Sequence, residues 1–189
     1  MKAASSGPGL SKEGASQRYE NRRRGSTQAL YNMGTDEYST SVLVTGGVGF
    51  VGSHIAEALL KQGSSNSVIV VYDIFNSETT LSAEKQENAE ILRRAAKESG
   101  AELHIVHGDI RDKEKLLETI ADHSITGCIH VGGMVDDRRS VTHPEEYIDV
   151  NIKGTATLLA ALGESGVKMV VQASTRSGET YTLFHHISD

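Results

Sequence analysis

The chain has 189 residues, which is enough for one domain with a modest surplus and too few for two full domains. Its composition, 38% hydrophobic and 23% charged with 19 glycines and 2 prolines, excludes a collagenous or low-complexity chain. The formal net charge of -6 argues against a body that binds nucleic acid, because such proteins present a basic face. Cys128, the single cysteine, favours a reducing, cytoplasmic compartment. No apolar run is long enough to predict a membrane span, so no membrane partner is expected.

Residues 1–40 are rich in Ser, Gly, Asn, Gln and charge and show no apolar periodicity, which predicts a disordered tail. From Ser41 onward, short β-branched runs alternate with longer amphipathic stretches. The first unit is a strand at 42–45, a glycine turn and a helix over 51–62. The second unit is a strand at 68–72 and a helix over 83–99 that Gly100 stops.

The same alternation continues along the chain. A third strand is predicted at 103–106, then a helix that Asp112 caps, a fourth strand at 125–131, a long helix over 144–164 and a fifth strand at 169–173. Five strands separated by four helices predict an α/β fold with a parallel, doubly wound sheet of the Rossmann type, truncated after about the fifth strand. Ligands bind beyond the strand carboxyl ends in such sheets.

Three glycines at i, i+3 and i+6 follow the first strand directly and open a helix: Gly46, Gly49 and Gly52. This placement predicts a dinucleotide-binding turn, because the backbone must approach a pyrophosphate closely near Gly49 and Gly52 lets the helix pack on the strand. The free N–H groups at the helix start then receive the phosphates. A tight turn that binds no ligand is the alternative.

Two carboxylates end neighbouring strands of the predicted sheet. Asp73 lies 21 residues after Gly52, where a carboxylate can accept the ribose hydroxyls of an adenine nucleotide and repel a 2′-phosphate. This position favours NAD over NADP. Asp109 closes the third strand and is a candidate for contact with adenine. Both aspartates are also common turn residues at strand ends, so a purely structural role is the alternative for each.

A wider set of residues resembles the extended short-chain dehydrogenase/reductase family of nucleotide-sugar epimerases and dehydratases, over about residues 42–177. The set comprises the three glycines, Asp73, residues 108–110, residues 151–155 and residues 173–175. Within the family, three features are most similar to the UDP-glucuronate 4-epimerases: Phe75-Asn76, the helix over 84–99, and residues 135–140 leading to Pro144 and Tyr147. The UDP-glucose 4-epimerases are the nearest alternative.

The resemblance implies a site for NAD and a role for each matching position. It assigns Gly46, Gly49, Phe50 and Val51, beside Gly52, to the pyrophosphate; Asp73 to the ribose; Asp109 and Ile110 to the adenine; and Val131, Gly132, Gly133 and Asn151 to the nicotinamide half. Gly132-Gly133 stands where the family usually carries two alanines, a departure that removes no polar contact.

The resemblance also implies contacts with the sugar. Thr175 falls where the family places the Ser or Thr that hydrogen-bonds the 4-hydroxyl. Arg138 and Ser140, on a predicted loop, are candidates for contact with the sugar or its carboxylate. The alternative is a solvated loop in which Asp136 and Asp137 pair with the arginines. Cys128 and His130 are interpreted as a core residue and a structural hydrogen-bonder, and no metal site is expected.

The family's base, a Tyr with a Lys four residues later, has no counterpart in this sequence, because His185 stands four residues after Tyr181. The resemblance ends near Ser177, so residues 41–177 are expected to form an incomplete NAD-binding domain and residues 178–189 a divergent tail. We therefore expect the NAD-binding portion of a UDP-glucuronate 4-epimerase, inactive alone, whose complete form binds a UDP-sugar and can form a homodimer. A UDP-glucose 4-epimerase, a 4,6-dehydratase fragment and a non-catalytic NAD-binding short isoform are the alternatives.

Overall fold

The computed structural model describes residues 40–63, 66–75 and 81–174. The predicted tails therefore lie outside the described residues, apart from Thr40, and so does Thr175. Within the described part, the strands are β1 (Ser41–Thr45), β2 (Val68–Asp73), β3 (Glu102–His107), β4 (Gly127–His130) and β5 (Met169–Gln172). The helices are α1 (Phe50–Gln62), α2 (Leu81–Ser99), α3 (Lys113–Asp122), α4 (Asp137–Thr142), α5 (Pro144–Tyr147), a π-helical segment (Ile148–Gly154) and α6 (Thr155–Glu164).

The five strands form one parallel sheet in the order β3-β2-β1-β4-β5. The chain moves outward from β1 to β3, then α3 carries it back across the sheet to β4 on the other side of β1. This reversal makes the carboxyl ends of β1 and β4 the topological switch point, where open α/β sheets bind ligands. The predicted doubly wound parallel sheet is confirmed.

Both faces of the inner strands β1 and β2 are buried, which explains why these strands read as continuous apolar runs. On one face Val42 and Val44 of β1 pack in a cluster with α1 and α2, and on the other face Leu43 packs in a cluster with α3 and α6. Successive side chains of a strand point to opposite faces, so a single strand supplies both clusters. The sheet is therefore a rigid base for the loops at its carboxyl edge.

Two elements differ from the sequence predictions. The single helix predicted over 144–164 is divided by the π-helical segment, which places Asn151 and Gly154 at a local widening of the helix. A Cβ on Gly154 would lie 2.8 Å from the Ile110 side chain, so this widening packs directly against the end of β3. The loop predicted around Arg138 and Ser140 is instead the short helix α4. Among the described residues, no helix is long and apolar enough to cross a membrane.

Candidate functional site

The glycine turn (residues 46–52) connects β1 to α1 at the switch point, and its shape is fixed by close backbone contacts. Gly46 has φ +68°, which side-chain-bearing residues rarely adopt, and a Cβ there would lie 2.6 Å from Gly132 Cα. A Cβ on Gly52 would lie 2.1 Å from Gly46 O. The turn is further held by the Gly46 N–H, which donates to Tyr72 O at 2.8 Å. Two of the three predicted glycines are thus required by packing alone.

The start of α1 offers donors and space for an anion. Gly49 is the N-cap and no side chain caps the helix, so the first-turn N–H groups of Phe50, Val51 and Gly52 lack helical acceptors. A Cβ on Gly49 would meet only Gly46 O, at 3.1 Å, and otherwise open space. Phe50 and Val51 are exposed beside it. The helix dipole and the free donors together favour a negative group here.

Asp73 is buried at the end of β2, and both of its carboxylate oxygens have partners. Oδ2 accepts the Val48 N–H at 3.1 Å, which joins Asp73 to the glycine turn. Oδ1 accepts Lys85 Nζ at 2.7 Å, and the same Nζ donates to Ile74 O at 2.7 Å. Asn88 on the next turn of α2 donates to Val48 O at 2.9 Å. The turn, β2 and the start of α2 are therefore one hydrogen-bonded unit.

Lys85 is not among the site residues predicted from the sequence. It lies on a helix with many charged residues, and a helix pattern shows which face a residue occupies but not which strand end that face meets. The Lys85 side chain is 19% exposed, so this cation is largely withdrawn from solvent. The only sequence signal available was its place near the beginning of a helix that follows an acidic strand end.

At the end of β3, the structure places Asp109 beside β2 but also gives its carboxylate a strong partner. Arg111 donates through Nη2 to Asp109 Oδ2 at 2.6 Å and also pairs with Asp149. Hydrogen bonds from Arg111 hold the pKa of the Asp109 carboxyl below its usual range. Tyr72 Oη donates to Asp109 O at 3.0 Å, which fixes the backbone next to Ile110. Asp109 therefore stays charged and is oriented by protein groups.

The end of β4 lies against the glycine turn. Val131 N–H donates to Thr45 O at 3.3 Å, and Gly132 packs on Gly46. Asn151, in the π-helical segment, accepts the Met134 N–H at 2.8 Å and donates to Met134 O at 3.0 Å. A Cβ on Gly133 would lie 3.1 Å from Asn151 Oδ1. The four residues assigned to the nicotinamide half are brought together at the switch point.

His130 is 3% exposed and lies between two threonine hydroxyls. Its Nδ1 is 2.6 Å from Thr45 Oγ1, and its Nε2 is 3.0 Å from Thr155 Oγ1. Burial lowers the pKa of His130, so the neutral ring is favoured. The interpretation of His130 as a structural hydrogen-bonder is confirmed: it ties β1, β4 and α6 together.

The α4 segment (residues 134–147) carries Arg138 and Ser140. Ser140 Oγ donates to Asp137 O at 2.6 Å, within its own helix. The pairing of Asp136 with arginine side chains was wrong: Asp136 caps α4 by accepting the N–H groups of Arg138 and Arg139. Aspartate is a preferred N-cap, and this role occupies its carboxylate. Arg139 instead pairs with Glu146 at 2.8 Å.

Arg138 is exposed and has no ion pair within the part of the chain that the structure describes. Thr175, the candidate for contact with the sugar, lies outside the described residues. Cys128 is buried in β4, and burial raises the pKa of its thiol to about 12, which confirms its interpretation as a core residue. The structure thus assembles the positions assigned to the cofactor and, among the residues it describes, leaves one arginine of the α4 segment without an ion pair.

Comparison with known proteins identifies the family. Residues 42–188 match the model of the NAD dependent epimerase/dehydratase family. The chain belongs to this family. A UDP-glucose 4-epimerase of Klebsiella pneumoniae is 35% identical over 133 residues, which are 70% of this chain and 87% of that protein. A UDP-glucose 4-epimerase of Yersinia enterocolitica is 35% identical over 134 residues, 71% of this chain and 36% of that protein.

Solved members of the family share the fold. The UDP-glucose 4-epimerase of Bifidobacterium longum, in complex with NAD+ and UDP, superposes with a TM-score of 0.60 at 28% identity and covers 72% of this chain. This chain corresponds to 37% of that epimerase. The chain therefore spans little more than a third of the length of the Yersinia and Bifidobacterium epimerases, and the shared part includes the sheet that carries the glycine turn.

Proposed function

We propose that this chain is the NAD-binding portion of a nucleotide-sugar 4-epimerase. The observation that carries the proposal is the hydrogen bond from the Val48 N–H to Asp73 Oδ2, at 3.1 Å. It joins a turn suited to a pyrophosphate and a carboxylate suited to a ribose in one rigid unit at the switch point. Membership in an NAD-dependent family supports the same cofactor.

Each part of the site has a role in this proposal. The N–H groups at the start of α1 bind the pyrophosphate beside the open face of Gly49, and Asp73 accepts the adenosine ribose hydroxyls. Asp109 and Ile110 border the adenine, and residues 131–133 with Asn151 border the nicotinamide half. NAD, when bound, supplies reversible hydride acceptance at C4 of the sugar. The residues of this chain bind the cofactor, orient it and keep water from its buried side.

The substrate in this proposal is a UDP-sugar. The names of the relatives support UDP-glucose as one candidate. The UDP-glucuronate and UDP-galacturonate pair is supported by Arg138, since this guanidinium is exposed while that of Arg139 is taken by Glu146. A free guanidinium suits the carboxylate of a uronate, which it can bind through two hydrogen bonds. Arg138→Met is expected to weaken binding of UDP-glucuronate to the NAD-loaded chain and to leave UDP-glucose unaffected.

A non-catalytic NAD-binding module is the second candidate. None of the 6 tyrosines in the sequence is followed by a lysine four residues later, so the base used by the family has no counterpart here. The purified chain with NAD+ and either UDP-sugar is therefore expected to yield no 4-epimer by chromatography. Formation of the epimer would contradict this reading and show that another group acts as the base.

Calorimetry of NAD+ binding to the full chain tests the main proposal. A Gly49→Ala variant places a methyl group on the open face of the turn, and we expect NAD+ affinity to fall by about tenfold or more. Gly163→Ala is the matched control, because nothing lies within 4 Å of a Cβ at that position of α6. Circular dichroism checks that both variants fold. Wild-type chain that binds no NAD+, or a Gly49→Ala variant that binds as tightly as wild type, would contradict the proposal.

A further inference from the structure

The ion pair at the end of β2 bears on which dinucleotide the site accepts. Lys85 Nζ lies 2.7 Å from Asp73 Oδ1, and the two side chains are 19% and 4% exposed. The pair is therefore largely shielded from solvent and weakly screened by salt. A cation is held directly against the carboxylate that is proposed to bind the ribose.

The charge on this carboxylate is what normally selects the cofactor. An aspartate at the end of the second strand accepts the 2′-hydroxyl of NAD and repels the 2′-phosphate of NADP, whereas a nearby cation accommodates that phosphate. Here the Lys85 cation offsets the charge of Asp73, so the repulsion that an isolated carboxylate would exert is reduced. The rule that Asp at this position excludes NADP therefore does not apply in its simple form.

The Lys85 ammonium group has more N–H donors than its contacts with Asp73 and Ile74 use. An ammonium group carries three N–H donors. One donates to Asp73 Oδ1 and one to Ile74 O, both at 2.7 Å, which leaves one donor with no acceptor among the residues that the structure describes. Lysine is a common ligand of phosphate groups, which it binds as a compact point charge. The remaining donor can therefore bind a phosphate oxygen without breaking the contact with Asp73.

We propose that Lys85 is a selectivity-determining residue that lets this site accept NADP as well as NAD, by neutralising Asp73 and donating to the 2′-phosphate. The inference rests on the proposed dinucleotide site. Asp73 continues to accept the ribose hydroxyls of NAD, and Lys85 donates to the additional 2′-phosphate of NADP. The cofactor range of the chain is thus broader than Asp73 alone indicates.

Calorimetry of NAD+ and NADP+ binding to the full chain and to Lys85→Met tests this inference. We expect wild-type affinities for the two cofactors to differ by less than about tenfold. In Lys85→Met, the NADP+ dissociation constant is expected to rise about tenfold or more, because a charge-assisted hydrogen bond is lost and the Asp73 charge is uncovered. The NAD+ constant is expected to change much less than the NADP+ constant, since the NAD ribose carries no charge there, so the ratio of the two constants rises.

Three variants keep the test decisive. Lys85→Arg retains the charge and should retain NADP+ binding, and Lys85→Gln removes the charge while keeping a donor, should Lys85→Met fail to fold. Lys97→Met is the matched control, an exposed lysine in the last turn of the same helix. A wild-type chain that binds NAD+ but not NADP+, or a ratio of affinities unchanged in Lys85→Met and Lys85→Gln, would overturn the inference and leave the proposed function intact. Binding of neither cofactor to wild type would overturn both.

Discussion

The glycine turn and the α4 segment lie at the same edge of the sheet but are built in opposite ways. In the turn, Val48 is fully buried, a Cβ on Gly46 would meet the backbone that follows β4, and a Cβ on Gly52 would meet the backbone of the turn itself. In α4 no residue is buried: Val141 in the helix and Val135 just before it are 75% and 82% exposed, and Tyr147 is the buried residue of the α4 segment. The geometry of the cofactor end is thus imposed by packing. The geometry of the α4 segment depends instead on a few polar contacts. We therefore expect the two regions to differ strongly in their sensitivity to mutation.

The largest expected effect is at the tightest contact of the glycine turn. Gly52→Ala places a Cβ 2.1 Å from Gly46 O, a backbone atom that cannot move without disturbing the end of β1. We expect the free energy of unfolding to fall by about 3 kcal/mol or more, measured by urea denaturation. Gly163→Ala is again the control and should be neutral or slightly stabilising, because alanine is a better helix former than glycine.

A small loss of unfolding free energy in Gly52→Ala would contradict this contrast between the glycine turn and the α4 segment. It would mean that the turn can relax around an added methyl group, and that its shape is not imposed by packing. An equal loss in Gly163→Ala would point instead to a general sensitivity of this chain to substitution in its helices.

The sequence was a good guide to the cofactor end for the same physical reason. Backbone constraints leave a residue signature, because only glycine tolerates the close approaches at Gly46 and Gly52. Buried strands likewise leave apolar runs, and Asp112, predicted as a helix cap, accepts the Lys115 N–H at 3.1 Å. Lys85 left no such signature, since its role depends on which strand end its helix meets in the folded chain.

An intermediate effect is expected from His130, which lies at the switch point between the two regions. Burial lowers the pKa of His130 in the folded chain. Below about pH 6.5 the unfolded chain therefore binds a proton on this ring that the folded chain does not bind. The free energy of unfolding is therefore expected to fall as the pH falls from 7 to 5.5. Urea denaturation at several pH values over that range gives the slope of the free energy of unfolding against pH, and this slope measures the contribution of His130.

His130→Gln is expected to flatten this slope, whatever its effect on stability at neutral pH. His123→Gln is the control, because burial and the nearby His104 also lower the pKa of His123, at a more exposed position. It should flatten the slope less. Equal slopes in wild type and His130→Gln would show that the buried ring is protonated as easily as in the unfolded chain, and would weaken the description of the switch point as a closely packed centre.

The α4 segment was harder to predict because its structure depends on contacts between distant side chains and backbone. Asp136 is a suitable N-cap residue, but no apolar periodicity follows it to indicate a helix, and charges at 136–139 are also typical of a solvated loop. The π-helical segment has no compositional signal either. It contains Asn151, whose side-chain amide accepts the Met134 N–H and donates to the Met134 carbonyl. Such polar contacts between separate segments follow from the fold and cannot be inferred from local pattern.

The smallest expected effect tests this dependence directly. Tyr147 Oη donates to Asp136 O at 2.7 Å and so ties the start of α4 to the buried side of α5. Tyr147→Phe keeps the ring and removes this bond, so the global free energy of unfolding should fall by about 1 kcal/mol or less. The effect on the local opening of α4 should be larger than the effect on global unfolding, because no side chain of α4 is buried. Hydrogen exchange at the Arg139 and Ser140 amides is expected to quicken while exchange in β1 stays unchanged. If exchange in α4 and β1 rose together, the two regions would open as one unit, and the contrast between a packed cofactor end and a loosely held α4 segment would not describe this chain.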